Sequence, residues 1–91
     1  MLYVIHAFDK KNHLALRMDN RPAHVDYLKS FGDQLHAAGP TLDEAGEMNG
    51  SVVILELDSL EQAQEFSRND PYARAGLFEQ VIIQPWKKVL P

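Results

Sequence analysis

Arg21-Pro22-Ala23-His24 places a histidine where packing seldom asks for one, at the predicted start of the first substantial helix. Pro22 suits a first helical turn, because its missing N–H would have had no partner there. His24 then falls near the positive end of the helix dipole, which disfavours an imidazolium. A neutral ring in that position can take or give a proton near pH 7. Far along the chain, Asp70-Pro71-Tyr72 follows a predicted helix, and a carboxylate at a helix C-terminus is a good proton acceptor. A histidine oriented by an aspartate is a common acid–base device, since the carboxylate fixes the tautomer and supports the imidazolium. Arg21 is suited to bidentate binding of a carboxylate. Gly39-Pro40 and Gly50-Ser51 are candidate ligand contacts, because glycine lets backbone N–H groups approach an anion closely. Each has a plainer reading: His24 as a hydrogen-bonded core residue, Asp70 as a helix stop, Tyr72 as packing, the glycines as turn residues.

These residues must be positioned by regular elements. Leu2 to Phe8 is rich in strand formers, with His6 among them, and Asp9-Lys10-Lys11-Asn12 ends the run. His13 to Met18 is read as a short helical turn. From Arg21 to about His36 the residues Leu28, Phe31 and Leu35 recur at helical spacing, in line with His24. Gly32 weakens that helix, so Leu35 to Gly39 is predicted as a short strand stopped by Gly39-Pro40. Thr41 to Asn49 reads as an acidic loop, and Gly50-Ser51 opens a strand over Val52 to Leu57. Ser59-Leu60-Glu61-Gln62 is a capping-box pattern. The helix it opens runs to about Asn69, with Leu60, Ala63 and Phe66 inward, and Asp70-Pro71 ends it. A short connection over Tyr72 to Phe78 leads to a last strand, Glu79 to Trp86.

The order β-α-β-β-α-β is the split β-α-β pattern of an α+β, ferredoxin-like fold: an antiparallel sheet of order 4-1-3-2 with both helices on one face. That topology brings Arg21, His24, Gly39, Pro40, Gly50, Ser51, Asp70 and Tyr72 to one end of the molecule. The strands are apolar on both sides, with Leu2, Val4 and Phe8 set against Tyr3, Ile5 and Ala7. A sheet with one wet face should alternate. The face away from the helices is therefore expected to be covered by a second subunit.

Composition narrows the function classes. Ninety-one residues suit one domain, and a net charge of −4 without a basic stripe excludes a nucleic-acid surface. The absence of cysteine removes thiolate nucleophiles, disulfides and zinc–thiolate sites. His6, His13 and His36 show no metal spacing, and no phosphate loop or nucleophile elbow occurs. No cofactor, metal or membrane partner is expected, and a cytoplasmic location is the default.

Met1-Leu2-Tyr3-Val4-Ile5, Arg21-Pro22-Ala23-His24, Ala38-Gly39-Pro40, Gly50-Ser51, Asp70-Pro71-Tyr72 and Pro85-Trp86-Lys87-Lys88 together resemble the YciI-like (YCII-related) family, over nearly the whole chain and in order. The resemblance implies one YciI-like domain over residues 1–91 that dimerises through its sheet, within the dimeric α+β barrel superfamily. It implies a site centred on His24 and Asp70, and, among relatives, removal of halide from chlorinated hydroxyquinones. The stretch between Pro40 and Gly50 is shorter than in many members, and His6 replaces an expected aromatic residue. The reading is a small cofactor-independent lyase, isomerase or dehydrohalogenase acting on a cyclic oxygenated molecule, with Arg21, Gly39, Pro40, Ser51 and Tyr72 as substrate contacts. The alternative is a non-catalytic dimeric module that binds a small ligand or a protein.

Overall fold

A computed structural model describes residues 1–91. The elements are β1 (Leu2–Asp9), α1 (Leu14–Lys29), β2 (Leu35–Leu42), β3 (Met48–Glu56), α2 (Leu60–Asn69), α3 (Pro71–Arg74) and β4 (Phe78–Trp86). A single 3₁₀ turn at Gly32–Gln34 joins α1 to β2, and Gly32 takes the left-handed φ of +55° that the reversal requires. All strand pairs are antiparallel and the sheet order is β2-β3-β1-β4. The predicted fold class and strand order are those observed.

Alternation sorts the strands into two faces. Tyr3, Ile5 and Ala7 of β1 point to the helices, as do Val53 and Leu55 of β3, and all five are buried. Leu28 of α1 and Ala63 and Phe66 of α2 close this core, with Val81 and Ile83 of β4 packed at its margin. Leu55 is fully buried, and burial of such a side chain stabilises the fold by about 1.5–3 kcal/mol. The other face carries Leu2, Val4, His6 and Phe8 beside Val52, Ile54, Ile82 and Trp86. In the single chain Phe8, Ile82 and Trp86 remain 36%, 38% and 39% exposed, so this face is apolar and uncovered.

Three local expectations are corrected. First, α1 begins at Leu14, seven residues before the predicted Arg21, and ends at Lys29. Pro22 thus lies inside the helix rather than in its first turn. It is tolerated because Pro22 and Met18, whose carbonyl loses its N–H partner, are both exposed to water. Second, β2 continues through Gly39-Pro40 to Leu42, and β3 starts at Met48, so only a short turn remains of the acidic loop. Proline is tolerated because β2 is an edge strand. Asp43 closes that turn by accepting from the N–H groups of Ala45 and Glu47 at 2.9 and 3.0 Å. Third, Leu60 is exposed rather than inward. The capping box does form. Ser59 Oγ accepts from the Gln62 N–H at 3.2 Å, and Gln62 Oε1 accepts from the Asp58 N–H at 2.9 Å. No helix is long and apolar enough to cross a membrane.

Candidate active site

Asp-Pro-Tyr builds one half of the site from local rules. A residue before proline is pushed out of the helical region, and Asp70 is extended at φ −59°, ψ 129°. Pro71 then starts α3, and the Asp70 carboxylate turns back to cap it, accepting from the Tyr72 N–H at 2.9 Å. Asp70 thus ends one helix and begins the next. The dipole effect expected of a bare helix C-terminus therefore does not apply, because the carboxylate is taken up by the Tyr72 N–H at the start of α3.

The other half comes from α1. His24 lies in the third turn, so the dipole argument for a neutral ring does not hold. Its ring instead acquires a specific partner. Nδ1 lies 2.9 Å from Oδ1 and 3.1 Å from Oδ2 of Asp70, and both residues are buried. With the carboxylate as acceptor, Nδ1 carries the hydrogen and Nε2 is left with its lone pair. Nε2 has no hydrogen-bond partner in the chain, yet no side-chain nitrogen or oxygen is both buried and unpartnered. Nε2 therefore reaches open space, in the pocket that His24 lines.

That pocket has a volume of about 130 Å³. His24, Arg17, Arg21, Ser51 and Tyr72 supply its polar groups; Val25, Leu28, Ala38, Pro40 and Met48, with Gly39, supply its apolar wall. Arg21, Gly39, Pro40, Ser51 and Tyr72, singled out in the sequence, line one cavity with His24, and Asp70 stands behind the imidazole. Gly50 does not join them. A Cβ there would come within 3.0 Å of the Ala7 carbonyl oxygen and the Thr41 hydroxyl, so this glycine serves the close approach of neighbouring strands. Gly39 has open space around it, and nothing in its surroundings requires glycine.

Arg17 is the site residue that sequence reasoning missed. Its Nε donates to Asp9 Oδ2 at 2.6 Å and its Nη2 to Asp9 Oδ1 at 3.0 Å, a bidentate ion pair out of water. The same Nη2 donates to Ser51 Oγ at 2.8 Å, which leaves the Ser51 hydroxyl hydrogen free for another acceptor. The Arg17 guanidinium also lies 4.5 Å from the Tyr72 ring centroid, and His24 stacks on that ring at 3.9 Å and 18°. Arg17 and His24 are two turns apart, about 10.5 Å along α1, which leaves room for the ring between them. Burial raises the Tyr72 pKa above the usual phenol value, opposed by Arg17 and Arg21 and reinforced by Asp70, so the phenol is a hydrogen donor at neutral pH. The signal for Arg17 was present: residues 17, 21, 24 and 28 form one helical stripe once α1 is started at Leu14.

A larger groove of about 300 Å³ is lined by Tyr27 of α1 and by Phe66 and Asn69 of α2, with Phe31 and Leu57, and holds no acid–base pair.

Residues 1–87 match the YCII-related domain. The chain is a member of the YCII-related family. It is 44% identical to Protein YciI of Escherichia coli over 97 residues, covering 98% of this chain and 99% of that protein. Identity to a Haemophilus influenzae protein is 39% over 98 residues, with 98% and 99% coverage. Among solved structures it is similar to 5-chloro-2-hydroxyhydroquinone dehydrochlorinase from Burkholderia phenoliruptrix in complex with 2,5-dihydroxybenzoquinone. That likeness has a TM-score of 0.88 at 36% identity, over 96% of this chain and 94% of the other. A protein from Agrobacterium tumefaciens, at 19% identity and a TM-score of 0.57 over 98% and 94% of the two chains, shares the fold of this YCII-related chain.

Proposed function

We propose that this YCII-related protein is a small cofactor-independent enzyme that moves protons on a cyclic, oxygenated small molecule. His24 is its acid–base residue and Asp70 the orienting partner. The observation that carries this reading is the His24–Asp70 hydrogen bond, with Nε2 left free toward a pocket of about 130 Å³. That volume is close to that of an apolar cavity, about 150 Å³, that holds one benzene-sized ring, which supports a substrate no larger than a single six-membered ring. The 36% identical dehydrochlorinase, with a dihydroxybenzoquinone bound, supports the same class of substrate.

The chemistry follows from one base that can return what it takes. Nε2 removes a ring hydroxyl proton, and the O–H electron pair becomes the second bond of a carbonyl. The ring's displaced electron pair takes the proton back from Nε2–H at a ring carbon, which completes an isomerisation. If that carbon bears a halogen, removal of a second hydroxyl proton drives electrons through the ring and expels halide. The net loss is then one proton and one halide ion, with no change that calls for a redox partner. Asp70 holds the imidazolium between the steps. Tyr72 and the Ser51 hydroxyl donate to developing oxyanions, and Arg21, exposed at the rim, steers an anionic ring.

The open face of the sheet is covered, in this reading, by a second copy of the chain. Phe8, Ile82 and Trp86 on that face support a self-complementary apolar contact. Light scattering that gives a monomer mass at micromolar concentration would overturn the dimer. The enzyme reading is tested by turnover of halogenated hydroxyhydroquinones and by calorimetric binding of 2,5-dihydroxybenzoquinone. His24→Ala is expected to lower turnover by about 10²–10⁴-fold while the ring still binds. Unchanged turnover in that variant refutes the acid–base role. Ring binding without turnover of any halogenated or tautomerisable ring identifies the chain as a binding module instead.

A further inference from the structure

One side chain keeps the pocket small. Met48 lines the 130 Å³ pocket, and it also lines a groove of about 480 Å³ on its far side. The groove runs between the connection from β1 to α1 (Lys10, Lys11, His13) and the turn of the β2–β3 hairpin (Asp43, Glu47). Met48 is the wall common to both spaces.

A break in strand register puts Met48 there. Ser51 points to the helix face, opposite Ala7 and Pro40. Strict alternation would send Met48, three residues earlier, to the opposite face. Thr41 pairs with Gly50 and Leu42 with Met48, however, so Asn49 is an extra residue without a partner. This β-bulge restores Met48 to the face of Ser51, and bulges of this kind re-aim side chains beside functional sites. The bulge is held in place by the Thr41 hydroxyl, which donates to Asn49 Oδ1 at 2.8 Å. The backbone is thereby anchored, and the Met48 side chain is half-buried between the two spaces.

Resting on the acid–base reading of the pocket, we propose that Met48 is a specificity-determining residue that limits the substrate to a single ring and separates it from a second subsite. With Met48 shortened, the groove receives an arm attached to that ring. The arm is neutral and polar. Asp9 is already paired with Arg17, and Asp43 is occupied by two backbone N–H groups. Asp43 nonetheless keeps its charge, so Lys10 and Lys11 against Asp43, Glu47 and Glu79 leave one negative charge in excess, which disfavours an anionic arm.

The test compares wild type, Met48→Leu and Met48→Ala by calorimetry, with 2,5-dihydroxybenzoquinone and with the same ring bearing a short ether arm. Wild type is expected to prefer the bare ring. Met48→Ala should shift the affinity ratio toward the arm-bearing ring by about tenfold or more, the effect of relieving a one-methylene misfit in a closed pocket. Met48→Leu, of similar volume, should keep the wild-type ratio. Thermal melts establish that each variant is folded, and Met48→Val, shorter and a good strand former, is expected to act in the same direction as the alanine. Equal binding of both rings by wild type, or an unchanged ratio in both shortened variants, overturns the role of Met48 alone. Failure of wild type to bind either ring overturns the reading of the pocket, and this inference with it.

Discussion

Arg17→Met tests whether the buried ion pair organises the pocket. The arginine and aspartate side chains are 3% and 5% exposed, so removing the cation leaves the Asp9 carboxylate out of water without a counter-charge. Breaking one partner of such a pair costs about 3–5 kcal/mol. Small domains hold only about 5–15 kcal/mol in total, so about a fifth or more of the stability is at stake. At about 4–8 °C per kcal/mol for a chain of this size, the melting temperature should fall by about 12 °C or more. Part of the loss comes from Ser51 and Tyr72, which both lose a guanidinium neighbour. The assay is paired calorimetric melts of wild type, Arg17→Met and the double variant Arg17→Met/Asp9→Leu. The double variant should recover most of the loss, because two apolar side chains leave no unpaired charge. A single variant that melts within about 4 °C of wild type, less than about 1 kcal/mol, would refute the claim that these charges are held out of water.

Two further outcomes follow from the same structure. The Tyr27 hydroxyl donates to the Phe66 carbonyl oxygen at 2.8 Å, and burial is the main cause pushing its pKa up to about 12. The folded state therefore keeps a proton that the unfolded chain, with a phenol pKa near 10, gives up. Its contribution is whole below pH 10 and is lost as the pH rises toward 12; Tyr27→Phe should flatten the fall in stability across that window, read by denaturant midpoints at a series of pH values. Gly50→Ala should cost about 1–3 kcal/mol by overpacking β3 against β1 and β2, because its Cβ would meet the Ala7 carbonyl oxygen and the Thr41 hydroxyl; chemical denaturation showing no loss would mean that the strands part without strain.

The amino-acid sequence by itself determined the element order, the strand order and most of the residues that face the core. Those depend on short-range patterns: β1 as a run of strand formers, the Ser59–Gln62 cap, and Phe66 one turn after Ala63 and Gln62. It also placed His24 on the inward stripe and Asp70 at a break between helices, so the candidate pair was legible before any distance was known. Only the tertiary structure decided how α1 begins. Pro22 looks like a start signal in sequence, and it is harmless inside the helix because that side of the turn is exposed to solvent. The error hid Arg17, whose place in the site depends on Asp9 and Ser51, residues 8 and 34 positions away. The electrostatic setting of Asp70 was likewise a tertiary matter, since the α3 turn and the His24 ring both converge on one carboxylate. Met48 shows the same limit: its face is set by one unpaired residue in a strand register, and register is a property of two strands together rather than of either sequence alone.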